Sequence, residues 1–126
     1  MAVQKRLSIL VVDDKKIWLN LLATVFSRAG WDTRAARSCF EALRELRTRP
    51  ADCLVAEQRL SDGRADAIRR AMSADPSIKP CPFVVLSADP LDEPEAVRGG
   101  GADAFMTKGA DLRGLVRIIK KLTAAS

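Results

Sequence analysis

The chain has 126 residues, 48% of them hydrophobic, 29% charged and only 5% aromatic, the size and make-up of one soluble domain around an aliphatic core. It carries a formal net charge of +5 and no histidine, which excludes imidazole triads, imidazole general bases and most zinc sites and leaves any chemistry to carboxylates, lysine and hydroxyls. The three cysteines, Cys39, Cys53 and Cys81, are widely spaced without a CxxC pair, so neither a disulfide framework nor a zinc knuckle is expected, and a reducing, cytoplasmic setting fits.

Residues 7–12, LSILVV, form a continuous apolar run of the kind found in strands buried on both faces. The run is too short, and its flanks are wrong, for a signal peptide or a membrane span. It stops at Asp13 and Asp14; Ile17, Leu21, Leu22 and Val25 then recur at helical spacing, with Gly30 closing the segment. A second strand is expected over 32–36. Ser38 and Glu41 make a capping-box pattern that opens a helix with Phe40, Leu43 and Leu46 inward, ended by Pro50. Residues 53–56 read as the third strand, followed by a shorter helix with Ala65, Ile68 and Met72 at spacings of three and four. FVVLS, 83–87, is the fourth strand. Residues 92–98 make a brief helix stopped by three glycines, 104–107 the fifth strand, and a last helix from Asp111 aligns Leu112, Leu115, Ile118, Ile119 and Leu122, with Lys120 and Lys121 favouring its C-terminal dipole.

Five strands alternating with five helices, with no apolar-polar alternation within the strands, imply an α/β domain whose parallel sheet is covered on both faces. Neither a repeat nor a linker interrupts the chain, so a single domain over 1–126 is expected. In such folds the site lies beyond the carboxyl ends of the strands, and those ends carry Asp13, Asp14, Glu57, Ser87 and Lys108.

Asp13-Asp14 after strand one, an acid after strand three, Ser87-Ala88 after strand four and Lys108 after strand five, with GAD before strand five, resemble the receiver domain of two-component response regulators. The likeness spans about 7–122. It implies a flavodoxin-like, CheY-like doubly wound sheet in the order 2-1-3-4-5 and a signalling module rather than an enzyme. It also implies a Mg²⁺ site in which Asp14 and Glu57 are ligands and Asp13 supports them. Lys108 and Ser87-Ala88 would meet the phosphoryl group, with Phe105 the aromatic that moves. The partner implied is a histidine kinase or an output protein, engaged through about 92–122, and a homodimer is left open.

The phosphoacceptor position, however, holds Glu57. Its extra methylene moves the carboxylate by about 1.5 Å, and a misplacement of about 1 Å costs on the order of a hundredfold in rate. Three readings of Glu57 stand: a partial mimic of the phosphorylated state, a residual acid braced by Lys108, and a slow phosphoacceptor. The family's proline after the lysine is replaced by Gly109, and its loop proline after strand three by Ser61. Either Lys108 points differently or Gly109 permits another backbone route to the same place, and the helix after that loop is expected to be shortened or shifted. From other classes, a Mg²⁺-dependent phosphatase lacks a second nucleophile-and-acid pair. A nucleic-acid binder rests only on net charge, since the arginines are interspersed with acids.

Overall fold

The computed structural model describes residues 6–124; the remainder of the expected 1–126 domain, including the last two residues of the tail KKLTAAS, lies outside them. The elements in chain order are β1 (Ser8–Val12), α1 (Lys16–Arg28), β2 (Asp32–Ala36), α2 (Cys39–Thr48), β3 (Cys53–Ala56), β4 (Arg59–Leu60), β5 (Gly63–Arg64), α3 (Ala65–Ala74), β6 (Phe83–Ser87), a 3₁₀ turn (Pro90–Asp92), a π-helical turn (Glu95–Gly99), β7 (Ala104–Thr107) and α4 (Leu112–Ala124). Five strands pair in parallel in the order β2-β1-β3-β6-β7, while β4 and β5 form a small antiparallel hairpin. Counting only the main sheet, this is the expected 2-1-3-4-5 doubly wound α/β arrangement.

The apolar runs form central strands because both of their faces are covered. Leu10, Val12, Leu54, Ala56, Phe83 and Val85 belong to the core beneath α2 and α3. Their neighbours Ile9, Val11, Cys53, Val55, Val84 and Leu86 belong to the core beneath α1 and α4. The period of two along each strand sends alternate residues to opposite layers, and the buried positions of these strands are apolar except for Ser87 at the end of β6.

Two helices bury only part of the stripe their spacing suggests: Leu22 and Leu46 are in the core and Val25 and Leu43 pack against it, but Ile17, Leu21 and Phe40 stay outside. In α1 the buried residues are Leu19, Leu22 and Phe26, whereas Ile17 is 73% and Leu21 41% exposed. Apolar residues occupy two stripes of this helix, and the one carrying Phe26 wins because its ring meets Trp31 at a centroid distance of 5.7 Å. In α2, Cys39, Ala42 and Leu46 face the core, and Phe40, 68% exposed, lies outside with Arg44 5.9 Å from its ring centroid. Small residues let α2 sit close to the sheet, which puts Phe40 on the other side.

The ends of the helices follow the sequence more directly. Gly30 adopts φ 85°, and Trp31 N–H reaches back to the Phe26 carbonyl at 3.0 Å, closing α1 through a left-handed residue that glycine supplies without strain. Ser38 Oγ accepts from Glu41 N–H at 3.1 Å, and Glu41 accepts from Arg37 N–H at 2.6 Å. Asp62, in the turn between β4 and β5, adds a second cap by accepting from Cys39 N–H and Phe40 N–H at 2.9 and 3.0 Å; those N–H groups, Cys39 foremost, lower its pKa. The hairpin is therefore tied to α2, the local result of an Asp-Gly pair arriving early in this loop.

Two surface carboxylates, the half-buried Asp75 and the exposed Asp111, give the fold an acid-sensitive edge. The Ser77 hydroxyl and Arg47 hold Asp75 down to about 2, and Arg113 holds Asp111 down to about 2. Both groups have folded-state values below the ordinary 3.8, so their stabilisation is complete above that value and is lost as pH falls toward 2. The denaturant midpoint should decline across that window, and Asp75→Asn together with Asp111→Asn should flatten the decline; an unchanged slope would show that these two groups contribute nothing to it.

Candidate functional site

Sheet register brings the site together. Val12 is level with Ala56 across β1 and β3, so Asp13 and Glu57 are the first residues beyond two adjacent strand ends, and Glu57 N–H bonds the Val12 carbonyl at 2.9 Å. Ser87 is level with Thr107 across β6 and β7, and Lys108 N–H bonds the Ser87 carbonyl at 2.8 Å. Lys108 thus starts two strands from Glu57, with β6 between them, and reaches across to it.

The Lys108 ammonium lies 2.6 Å from Asp13 Oδ2 and 3.0 Å from Glu57 Oε1. The three side chains are only 7%, 3% and 11% exposed, so the ions are shielded from water on most sides. The ring of Trp18 supplies the next wall, with Nζ 4.8 Å from its centroid. Each acid has further donors: Lys15 N–H to Asp13 Oδ1 at 2.9 Å, Gln58 N–H to Glu57 Oε2 at 2.6 Å, and Ala88 N–H to Glu57 Oε1 at 3.3 Å. The bond to Gln58 N–H means that the Glu57 side chain curls back on its own backbone, which takes up the extra methylene.

Ser87 is turned elsewhere. Its hydroxyl, in a residue 1% exposed, donates to Asp92 Oδ2 at 2.7 Å and accepts from Asp89 N–H at 3.1 Å. Asp92, also buried, is paired through Oδ1 with Arg59 at 2.9 Å. Ser87, Asp92 and Arg59 therefore form a chain that ties β6 and the 3₁₀ turn to the β4–β5 hairpin.

Of the residues singled out in the sequence, the structure brings Asp13, Glu57, Lys108 and the Ala88 N–H together. Asp14 stays at the rim, half-exposed, with Lys15 Nζ 3.8 Å away. Phe105 is partly buried against the core beneath α2 and α3. Lys108 reaches both acids although the chain contains no cis peptide bond among the described residues, so Gly109 does not misdirect it. The carboxylate set does not fit a Mg²⁺ ion as arranged: among the described residues no three acidic or thiol groups converge as ligands, and the oxygens of Asp13 and Glu57 already accept from Lys108 and backbone N–H groups. An ion that requires near-octahedral oxygens at about 2.0–2.1 Å would have to displace them. Sequence reasoning missed Arg59 and Asp92; Trp18, four residues or about one helical turn beyond Asp14, lies on the site as that spacing allows. The aspartate five residues beyond Ser87 was the available signal for the second network; nothing local announced Arg59. No described helix is long and apolar enough to cross a membrane.

Comparison with known proteins agrees with this architecture. The family model for the response regulator receiver domain matches residues 9–120. The polar-differentiation response regulator DivK of Brucella abortus (strain 2308) is 22% identical over 114 residues, covering 90% of this chain and 93% of DivK. The sensor histidine kinase GacS of Pseudomonas protegens is 29% identical over 120 residues, which cover 91% of this chain but 13% of GacS. Among solved structures, the signal receiver domain of a signal transduction histidine kinase from Syntrophus aciditrophicus superposes with a TM-score of 0.83 at 25% identity, covering 94% of this chain and 91% of that one. With the sheet order, the strand-end acids and the lysine in their places, and a family match over nearly its whole length, the chain belongs to the response regulator receiver domains of two-component signalling.

Proposed function

We propose that this receiver signals by protein contact without a phosphorylation step, with Glu57 held as a braced acid rather than used as a phosphoacceptor. The observation that carries this reading is the Lys108 ammonium lodged at 2.6 and 3.0 Å from Asp13 and Glu57. A single positive charge from within the chain thereby offsets one of the two negative charges of Asp13 and Glu57 and holds both side chains. The engagement of Ser87 with Asp92 favours bracing over mimicry, because a permanent imitation of the phosphorylated state would draw the Ser87 hydroxyl toward Glu57. The surface offered to a signalling protein, a histidine kinase or an output protein, is the face of residues 92–122.

Incubation with acetyl phosphate and Mg²⁺, followed by intact mass, tests the reading: the parent chain should keep its mass, and addition of a phosphoryl group would overturn it. Glu57→Asp should gain one phosphoryl group under the same conditions, since the shorter side chain withdraws the carboxylate by about 1.5 Å while Lys108 is already within reach. A Glu57→Asp chain that stays unmodified would place the obstacle in the Ser87–Asp92 lock or the displaced loop after β3.

A further inference from the structure

An apolar groove of about 440 Å³ runs between α1 and α4, floored by Val25, Ala29, Leu112 and Val116 and rimmed by Arg28, Arg113, Arg117 and Lys120. The floor residues are partly buried and continuous with the core beneath these helices, whereas the rim cations are exposed. The only acid in the lining, Asp111, is bound to Arg113 in a two-point contact, at 3.0 Å from Nε and 2.7 Å from the terminal nitrogen. The rim therefore keeps a clear excess of positive charge beside an apolar floor. The α4 part of this lining falls within residues 92–122, the surface proposed above for a signalling partner.

We infer that the groove docks an acidic amphipathic helix of a partner protein, its aliphatic face on Val25, Ala29, Leu112 and Val116 and its carboxylates against Arg28, Arg117 and Lys120. A helix laid in a groove supplies the apolar row at spacings of three and four that such a floor accepts, and opposite charge at the rim fixes its orientation and speeds its approach. A second copy of this chain is disfavoured as occupant: a two-fold contact through the groove would set these cations against their own copies. A purely anionic ligand would leave the apolar floor uncovered. The inference does not depend on whether Glu57 accepts phosphate.

The test uses a fluorescein-labelled amphipathic peptide with leucine on one face and glutamate on the others, read by anisotropy against the whole chain. Saturable binding should weaken by at least about tenfold in the triple variant Arg28→Glu, Arg117→Glu, Lys120→Glu, and it should fall as salt is raised. These side chains are exposed, so the variant should fold, and an unchanged thermal midpoint verifies that. Absence of saturable binding would overturn the inference, as would equal binding of the same peptide with lysine for glutamate or equal binding by the triple variant. A preference for phosphatidylglycerol vesicles or duplex DNA over the peptide would do the same, and so would a concentration-dependent dimer abolished by the charge reversals.

Discussion

Replacement of Lys108 by methionine should lower the unfolding free energy by about 3–5 kcal/mol, the range for removing one partner of a buried ion pair. The loss is large because the ammonium serves two acids at once, Asp13 at 2.6 Å and Glu57 at 3.0 Å, and neither side chain is exposed enough for water to take over. The backbone N–H groups of Lys15, Gln58 and Ala88 would still support them, at 2.9, 2.6 and 3.3 Å, but hydrogen bonds do not cancel two like charges held at neighbouring strand ends. The decisive variant is compensatory. Adding Asp13→Asn and Glu57→Gln to Lys108→Met removes the charges while keeping the shapes, and urea denaturation should recover most of the lost stability. If the triple variant is no more stable than the single one, the strand ends are not organised by charge.

Arg59→Ala should cost about 2 kcal/mol, less than the 3–5 kcal/mol of a fully buried pair because the arginine side chain is 57% exposed and water can enter where it stood. Its partner Asp92 has a side chain 4% exposed and would keep only the Ser87 hydroxyl at 2.7 Å. Asp92→Asn in the same background should restore stability, since a neutral amide needs no counter-ion and can still accept from Ser87. The effect should also be regional: hydrogen exchange across residues 88–100 should accelerate in Arg59→Ala, because the 3₁₀ turn loses its tie to the β4–β5 hairpin. Exchange rising evenly over the whole sheet would show a general loss of stability and no lock on this segment.

The sheet was readable because its strands carry little ambiguity: LSILVV, CLVA and FVVLS each hold four consecutive apolar residues, and no described helix has such a run. Spacing then placed Asp13, Glu57, Ser87 and Lys108 at the carboxyl ends. The helical faces were harder, because the expected stripe Ile17-Leu21-Leu22-Val25 overlaps the buried one, Leu19-Leu22-Phe26, and the packing of Phe26 against Trp31 goes with the second. The segment between β6 and β7 reads as one short helix over 92–98. Pro90 and Pro94 and the run of three glycines divide it into a 3₁₀ turn and a wide turn in which Gly100 N–H reaches five residues back to the Glu95 carbonyl at 2.8 Å. The orientation of Ser87 could not be read at all, since it is set by Asp92 and by an arginine 33 residues from that aspartate. Glu57 was legible as an anomaly; its curl onto Gln58 N–H was not, because side-chain torsions are chosen by the donors that surround them.

Trp18 has a use that its place over Lys108 confers. Indole emission responds to a cation resting on the ring, so the chain contains its own optical gauge of whether that ammonium is seated, provided Trp31, the other tryptophan, is changed to phenylalanine. Any ion, phosphodonor or protein that lifts Lys108 from its two acids would announce itself as a change in intensity or colour, without a label and on the timescale of mixing.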